Sequence, residues 1–125
     1  KGQELFTADI ACGKNYGNKE KQGDLKTPEG TFKIIDIQDA SKWKHDFGDG
    51  KGEIEGAYGN HFIRLETPGH KGIGIHGTHD PLSIGTRATE GCIRIKNSEL
   101  EQLVSLIRVP TTVIITPSVK DIKTQ

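Results

Sequence analysis

The sequence predicts a mainly β fold with one helix, and three observations carry this prediction. Glycine supplies 16 of the 125 residues, about twice its usual share, which favours a fold with many tight turns. The apolar stretches are short and separated by turn residues, as expected for strands joined by loops. Helical spacing is found in one segment, which places Leu100, Leu103, Val104 and Ile107 on one face.

Six segments of the chain have the residue pattern of β-strands. Each combines β-branched or other apolar residues with glycine, proline or polar turn residues at its ends. The predicted strands are Glu4–Ala11, Thr31–Ile37, His61–Glu66, Gly72–Ile75, Cys92–Lys96 and Thr111–Thr116. We expect the last strand to be buried and the polar tail beyond Pro117 to be frayed.

The predicted helix follows the fifth strand, and two longer loops interrupt the sheet. Ser98 and Glu101 have the spacing of a capping box at the start of the helix, whose apolar face should pack on the sheet. The polar stretch Gly13–Asp24 predicts a mobile loop. The polar stretch Asp39–Gly59 predicts an insertion or a lid over a substrate groove. A solvated excursion held down by Trp43 is favoured over a moving lid, because the sequence shows no hinge.

The composition limits the kind of protein that this chain can be. We expect one domain over residues 1–125, and 17 Lys and Arg against 17 Asp and Glu leave no net charge and no indication of nucleic-acid binding. No stretch approaches the roughly 20 apolar residues of a membrane helix, and no leader pattern begins the chain, so we expect a soluble domain. The absence of Met and the start at Lys1 indicate a fragment without its natural N-terminus.

One histidine and one cysteine stand at the ends of short apolar stretches. Ile73 and Ile75 share one face of their strand, and His76 follows at its end, where we expect an exposed position at the edge or mouth of the sheet. A thiol becomes a nucleophile when a nearby imidazole takes its proton and the resulting ion pair lowers the thiol pKa. The pattern therefore predicts Cys92 as a nucleophile and His76 as its base.

The residues around Cys92 fit this prediction. Gly91 lets the backbone turn sharply into the nucleophile and leaves room for a substrate carbonyl, whose oxyanion the amides of Gly91 and Cys92 could hold. Strand alternation places Arg94 on the same side as Cys92, with Ile93 and Ile95 on the opposite side.

Four motifs follow one another along the chain. They are Thr27-Pro28-Glu29-Gly30-Thr31-Phe32, Ile75-His76-Gly77-Thr78, Ser83-Ile84-Gly85 and Gly91-Cys92-Ile93-Arg94. Their order, type and spacing resemble the L,D-transpeptidase catalytic domain (YkuD-like) family, bacterial enzymes that crosslink peptidoglycan through a cysteine acyl-enzyme. The stretch before Thr27 matches only weakly. The resemblance implies a β-sandwich of mixed sheets with one amphipathic helix after the nucleophile.

The resemblance also implies an enzyme and a mechanism. Cys92 would attack the carbonyl at the L-centre of the third stem residue, a diamino acid, and expel the terminal D-Ala. His76 would serve as the base, with its tautomer fixed by the backbone carbonyl of Gly77 and the oxyanion held near Gly91. The side-chain amine of a second stem would then attack the thioester and give a 3-3 crosslink.

Further implications concern substrate contacts and location. Arg94, Thr89 and Thr78 are implied as substrate-binding residues, although Arg94 and Thr89 could equally brace the active-site loop. The partners would be peptidoglycan stem peptides as acyl donor and acceptor, with no cofactor, no metal and no nucleic acid. The chain would act as a monomer outside the cytoplasm, in the periplasm or cell envelope, and be sensitive to carbapenems.

One residue beside the nucleophile departs from the family pattern. Glu90 stands where the family more often has histidine, so the pair of Cys92 and His76 is retained but substrate choice is in question. A carboxylate near a thiol opposes its ionisation. We therefore expect a cation, Arg87 or Arg94, to compensate.

Structural alternatives exist for the same residues. Cys12 and Cys92 could form a disulfide, but such a bridge would not need Gly91 or the His-Gly-Thr segment, and Cys12 is better interpreted as a half-buried strand residue. His76 could also be a core histidine satisfied by backbone groups.

A metal site is a further alternative. His70, His76, His79 and Asp80 are close in sequence, and Cys92 could complete the site. This alternative is not favoured, because the segment is not helical and the cysteine has no CxxC partner. The remaining histidines are expected at the surface, namely His45, His61, His70 and His79.

Two functional alternatives remain open. On the same scaffold, water instead of an amine could resolve the acyl-enzyme, which would make the chain an L,D-carboxypeptidase or amide hydrolase. The chain could also be a non-catalytic wall-binding module, although intact His76 and Cys92 argue against this reading.

Overall fold

The computed structural model of the protein describes residues 3–48 and 50–117. Within these ranges the chain forms nine β-strands, one α-helix and a short 3₁₀ turn at Pro81–Ser83. The elements are β1 (Ile10–Gly13), β2 (Gly30–Asp39), β3 (Lys44–Asp46), β4 (Glu53–Glu55), β5 (His61–Glu66), β6 (Gly74–His76), β7 (Arg87–Thr89), β8 (Ile93–Ile95), α1 (Asn97–Leu106) and β9 (Thr112–Ile115).

Seven of these strands form one curled, mixed sheet in the order β7-β1-β8-β6-β5-β2-β9. The β1–β7 and β6–β8 pairs are parallel and the other pairs are antiparallel. The remaining two strands, β3 and β4, form a separate hairpin. The predicted mainly β fold, with mixed strand pairing and one helix after Cys92, is confirmed.

The core lies between the sheet and α1. Six buried side chains form it, and burying each of the larger ones contributes about 1.5–3 kcal/mol. They are Ile34, Ile63, Leu65, Ile73, Ile95 and Leu100. Leu100 is fully buried, and Leu103, Val104 and Ile107 pack beside it, as the helical spacing predicted. None of the described helices combines the length and apolar character needed to cross a membrane.

The first strand begins later than predicted. Glu4–Ala11 was expected to be a strand, but the sheet starts at Ile10, which pairs with Ile95 of β8. Phe6 and Ala8 do pack against the core. Their alternation therefore reflects burial of side chains in an extended segment outside the sheet, a pattern that sequence periodicity does not distinguish from a strand.

The capping box predicted for α1 is wrong. The helix starts at Asn97 after Lys96, and no side-chain hydrogen bond caps it. Glu101 instead contacts His61 Nδ1 at 3.0 Å. The Glu101 side chain thus contacts a residue outside the helix instead of capping the helix N-terminus as the local pattern predicted.

The last strand is at the edge of the sheet, so its predicted burial is wrong. β9 pairs with β2, and Ile114 is 67% exposed whereas Val113 and Ile115 pack against the core. A run of β-branched residues fits a strand buried on one face as well as on two. The expected fraying concerned residues 118–125, which lie outside the described residues.

The predicted insertion over Asp39–Gly59 contains the β3–β4 hairpin, whose strands the sequence did not reveal. The Trp43 ring packs against Tyr58 and Phe62, with centroid distances of 5.9 and 5.5 Å. Trp43 is half-buried and anchors the segment as expected, and motion of this segment as a lid stays a prediction.

Candidate active site

The parallel β6–β8 pair places the predicted catalytic residues on one face of the sheet. Ile75 aligns with Ile93, and His76 aligns with Arg94. Since successive side chains alternate between faces, Cys92, just before β8, lies on the face of His76 and Arg94. All three line a cavity of about 440 Å³.

His76 is buried, which corrects the expectation of an exposed histidine. Its exposed fraction is 3%. The imidazole stacks on Phe62 at 5.7 Å and meets the edge of Tyr58 at 4.8 Å. These two rings and the sheet fix the plane of the imidazole, so its orientation is set before any substrate arrives.

A backbone carbonyl sets the tautomer of His76. The Nδ1 atom lies 2.6 Å from the carbonyl oxygen of Gly77. A carbonyl can only accept, so Nδ1 carries the proton and Nε2 keeps its lone pair as a base. A core histidine satisfied by backbone groups was the alternative for His76. This holds for Nδ1, whereas Nε2 remains available to accept a proton.

Asn97, which sequence reasoning missed, holds the segment after His76. Its Oδ1 accepts from the Thr78 amide at 2.8 Å and its Nδ2 donates to the Thr78 carbonyl at 2.9 Å. A Cβ atom at Gly77 would overlap Asn97 Oδ1, so glycine is required there. The local sequence gives no signal for this role of Asn97, because the residue simply precedes the predicted helix.

Thr78 supports this segment from inside the protein. It is 2% exposed, and its hydroxyl accepts from the Asp80 amide at 2.8 Å. Neither Thr78 nor Gly77 is among the residues that line the cavity. The structure therefore places Thr78 behind the site, although the sequence suggested it for substrate binding.

The loop into Cys92 depends on a glycine and a threonine. Gly91 has φ +143°, and a Cβ there would meet the carbonyl of Lys26 at 2.9 Å. Thr89 Oγ1 accepts from the Gly91 amide at 3.2 Å and donates to the Cys92 carbonyl at 2.6 Å. Thr89 thus makes the bracing contacts that the sequence allowed for it.

The stretch that backs Gly91 is the loop predicted over Gly13–Asp24. Asp24 organises it by accepting from Lys19 Nζ at 2.9 Å and from backbone amides that include Glu20 at 2.8 Å. Burial raises the pKa of Asp24, but these hydrogen bonds lower it more, so the carboxylate stays charged. Lys19 lies close to Gly91, 3.6 Å from where a Cβ would stand.

The thiol of Cys92 is half-exposed in the cavity, and its hydrogen bond goes to the Gly72 carbonyl at 3.1 Å, not to His76, within the described part of the chain. Burial raises its pKa to about 11, the Gly74 backbone, Arg64 and Lys19 lower it, and Glu90 raises it. Glu90 therefore opposes ionisation as predicted.

His76 is also held neutral. Burial lowers its pKa to about 4, the hydrogen bond to Gly77 raises it, and the charges of Arg94 and His45 lower it. The resting site thus has a neutral thiol and a neutral imidazole. Burial thus disfavours both charges of the expected ion pair, and that pair stays a prediction.

Arg94 and Arg87, the two expected compensating cations, have different surroundings. Arg94 is 5% exposed and donates from Nη1 to Ser83 Oγ at 2.8 Å, while its buried Nε has no partner among the described residues. Burial lowers the Arg94 pKa, and the charges near it, Cys92 included, raise it. Arg87 donates to the Gly13 carbonyl at 2.8 Å and lies over Tyr16. The cations that lower the pKa of Cys92 are Arg64 and Lys19, so the sequence named the wrong compensating residues.

Glu90 has a partner that sequence reasoning missed. Its Oε2 lies 3.2 Å from Nε2 of His45, which β3 carries over the cavity. His45 was expected at the surface; it is partly exposed and lines the cavity. The contact joins residues 45 positions apart through the hairpin, and no local pattern signals it.

The cavity has aromatic and cationic walls. Its rings come mainly from the hairpin and β5, namely Trp43, Phe47, Tyr58 and Phe62. Its cations are Lys19, Lys44, Arg64, Lys71 and Arg94. Glu90 is the one acidic residue that lines it within the described part of the chain. The site therefore presents a mainly positive surface around the thiol.

The structure gives no support to the two structural alternatives for Cys92. Cys12 and Cys92 are both free, and Cys12 is a half-buried residue of β1, as expected. No group of three or more potential metal ligands comes together within residues 3–48 and 50–117.

The comparisons with known sequences point to one family. The sequence profile of the L,D-transpeptidase catalytic domain (YkuD) matches residues 1–115. YkuD of Bacillus licheniformis is 33% identical over 92 residues, 74% of this chain and 46% of that protein. YqjB of Bacillus subtilis is 35% identical over 98 residues, 77% of this chain and 54% of that protein. The chain thus spans about half the length of these curated relatives, whose names both include L,D-transpeptidase.

Solved structures share the fold. The catalytic domain of an E. faecium L,D-transpeptidase acylated by ertapenem has a TM-score of 0.57 at 22% identity, covering 89% of this chain and 80% of that one. An L,D-transpeptidase from Mycobacterium smegmatis has a TM-score of 0.59 at 21% identity, covering 92% and 50%. With the profile spanning nearly the whole described chain, this protein belongs to the L,D-transpeptidase catalytic domain (YkuD) family.

Proposed function

We propose that the chain is an L,D-transpeptidase that acts on peptidoglycan stem peptides through a thioester on Cys92 and forms 3-3 crosslinks. One observation carries the proposal. Cys92 and His76 line the same cavity on one sheet face, and the Gly77 carbonyl holds Nδ1 of His76 so that Nε2 is left as a base.

In the first half-reaction, Cys92 attacks the carbonyl at the L-centre of the third stem residue. Because the resting thiol is neutral, its proton passes to His76 Nε2 as the C–S bond forms, and His76 then gives it to the departing D-Ala amine. The thiol must first leave the Gly72 carbonyl, a weak hydrogen bond to give up.

The developing oxyanion needs backbone donors. The Gly91 amide already donates to Thr89 Oγ1. We therefore assign the oxyanion chiefly to the Cys92 amide, with Gly91 joining only if it leaves Thr89. The required glycine at position 91 leaves the space in which the carbonyl would lie.

The cationic wall suits an anionic donor. Stem peptides carry carboxylates, and Arg94 offers a buried, unpartnered Nε within the cavity. Binding a carboxylate there would satisfy this donor, which otherwise stays buried without a partner. Arg94 would thus brace Ser83 with one nitrogen and hold the donor with another.

In the second half-reaction, the side-chain amine of another stem attacks the thioester. The C–N bond forms as His76 takes a proton from the attacking nitrogen, and His76 passes this proton to the sulfur as the C–S bond breaks. This substrate places the protein outside the cytoplasm, in the periplasm or cell envelope. We propose that it acts there as a monomer, without a cofactor.

The purified domain incubated with a disaccharide-tetrapeptide, with and without an acceptor amine, tests this function by mass spectrometry. A crosslinked dimer that disappears in Cys92→Ala supports transpeptidation. Loss of D-Ala without a dimer would assign the protein to the carboxypeptidases. If neither product forms and ertapenem does not acylate Cys92, the chain is a wall-binding module instead.

A further inference from the structure

Two partly exposed residues face each other above the nucleophile. Glu90 Oε2 and His45 Nε2 are 3.2 Å apart, with side chains 49% and 28% exposed. A pair this exposed contributes little to stability. Glu90 stands two residues before Cys92, and both members of the pair line the cavity. We therefore look for a functional role for this pair.

The charge of Glu90 is costly for the first half-reaction. It raises the pKa of the Cys92 thiol and so disfavours the nucleophile. A negative charge beside Cys92 can help the second half-reaction instead. There it would attract the protonated amine that attacks the thioester.

The acceptor arrives as an ammonium ion, since an aliphatic amine is protonated near neutral pH. Lys44, Arg64, Lys71 and Arg94 would repel it, and Lys19 is already paired with Asp24. Of the described residues that line the cavity, Glu90 offers the carboxylate. The ammonium would therefore be drawn to Glu90, in the cavity that also holds Cys92.

We propose that Glu90 and His45 form the acceptor-amine site, in which Glu90 binds the incoming ammonium and His45 takes the proton that this ammonium must lose before it attacks. The inference rests on the proposed transpeptidase function. It names His45, carried by the β3–β4 hairpin, as a second base beside His76.

The protons balance with two bases. The acceptor nitrogen starts with three hydrogens and ends in an amide with one. Because Nε2 of His45 donates to the Glu90 carboxylate, His45 takes the first proton at Nδ1 and, being partly exposed, releases it to water. His76 takes the second as the C–N bond forms and gives it to the sulfur of Cys92 as the C–S bond breaks. The thiol is regenerated and one proton is released overall.

The test measures how the acyl-enzyme divides between the two acceptors, as the ratio of crosslinked dimer to hydrolysed tripeptide. For Glu90→Gln we expect D-Ala release at least as fast as in the wild type, because a charge opposing the thiolate is gone. The dimer-to-tripeptide ratio should fall about tenfold or more, the effect of one lost charge-assisted hydrogen bond. For His45→Gln the ratio should fall too, because the second base is lost.

A matched control is built into the chain. Glu101 and His61 form a carboxylate–imidazole pair of nearly the same geometry and exposure, 3.0 Å with 47% and 28% exposed, away from the cavity. Glu101→Gln should leave the ratio unchanged. Hydroxylamine, a nucleophile that is neutral at pH 7, gives a second control, because it should resolve the acyl-enzyme of Glu90→Gln as fast as that of the wild type.

The possible results separate the two proposals. If the wild type forms the Cys92-dependent dimer but Glu90→Gln keeps its dimer-to-tripeptide ratio, the acceptor site is wrong and the transpeptidase function stands. The same conclusion follows if hydroxylamine and the acceptor amine both resolve the acyl-enzyme of Glu90→Gln more slowly, and by the same factor. Equal slowing would indicate a distorted loop. If the wild type gives no Cys92-dependent product at all, the proposed function fails and the acceptor site with it.

Discussion

The cavity has a floor and a cover that are built by different means. The floor is the β6–β8 strand pair with Asn97, where His76 and Thr78 are 3% and 2% exposed and held by short hydrogen bonds. The cover is the β3–β4 hairpin, which reaches the floor through ring contacts of Trp43 and the exposed pair of His45 and Glu90.

This difference separates two tasks. A buried, hydrogen-bonded floor fixes the atoms that exchange protons, where small displacements are costly. The hairpin is held by ring contacts and by the partly exposed contact between His45 and Glu90. Substitutions in the hairpin can therefore be made without disturbing the floor. We therefore expect changes in the floor to lower kcat and changes in the cover to alter substrate binding and acceptor choice.

The largest effect should come from removing the nucleophile. Cys92→Ala should abolish both D-Ala release and crosslinking, because no other thiol faces the cavity among the described residues. The thiol makes one weak hydrogen bond, so the thermal unfolding temperature should change little. Mass spectrometry of the products, beside a melting curve, checks both statements. Residual turnover in the variant would remove Cys92 from the mechanism.

Loss of the base should be less complete. His76→Ala should reduce the rate of acylation by ertapenem by about 10²–10⁴, the usual contribution of a positioned general base. Intact-protein mass spectrometry over time gives this rate. A matched variant, His61→Ala, removes a partly exposed histidine outside the cavity and should acylate like the wild type. Equal rates in His76→Ala and the wild type would contradict the assignment.

The neutral resting pair predicts a broad pH profile. His76, with its pKa lowered to about 4, stays an effective base until the pH falls through that value. The thiol, with its pKa raised to about 11, stays protonated up to that value. The acylation rate should therefore be nearly constant from about pH 5 to 10 and fall about tenfold per unit below pH 4. A narrow bell centred between pH 5 and 8 would indicate the ion pair instead.

Asn97 tests whether the floor depends on its support. Asn97→Ala removes two hydrogen bonds to Thr78, which should cost about 1–3 kcal/mol of unfolding free energy and loosen the Gly77 carbonyl that orients His76. We expect kcat to fall about tenfold with KM little changed. Kinetics on the tetrapeptide, with urea unfolding, separate the two effects. An unchanged kcat in a destabilised variant would limit Asn97 to the fold.

The sequence predicted site residues that stand in local patterns better than residues that act on distant partners, for a physical reason. His76, Gly77, Gly91 and Cys92 stand in local patterns of strand, turn and glycine, so their neighbours in sequence mark them. Asn97 and His45 act on partners 19 and 45 residues away. Their roles arise only when the sheet and the hairpin are folded, and no periodicity records them.

The burial of the site residues was the other property that the local sequence pattern did not predict. His76 was assigned the wrong surroundings, since exposure depends on which segments fold over a strand end. The rings of Tyr58 and Phe62 that enclose His76 come from the insertion and from β5. Burial also raises the pKa of the Cys92 thiol, against the lowered value that was expected.

The smallest effect expected here distinguishes the cover from the floor most directly. Trp43→Ala removes two ring contacts, each of about 0.5–1.5 kcal/mol, and should loosen the hairpin. KM for the tetrapeptide should rise severalfold, up to roughly tenfold, while alkylation of Cys92 by iodoacetamide should keep its rate, because the floor is held by its own hydrogen bonds. Leu82→Ala, which removes a side chain that is 90% exposed, serves as the control. If Trp43→Ala changes thiol alkylation as much as it changes KM, the hairpin is part of the floor, and the division of the site into two independently built halves is wrong.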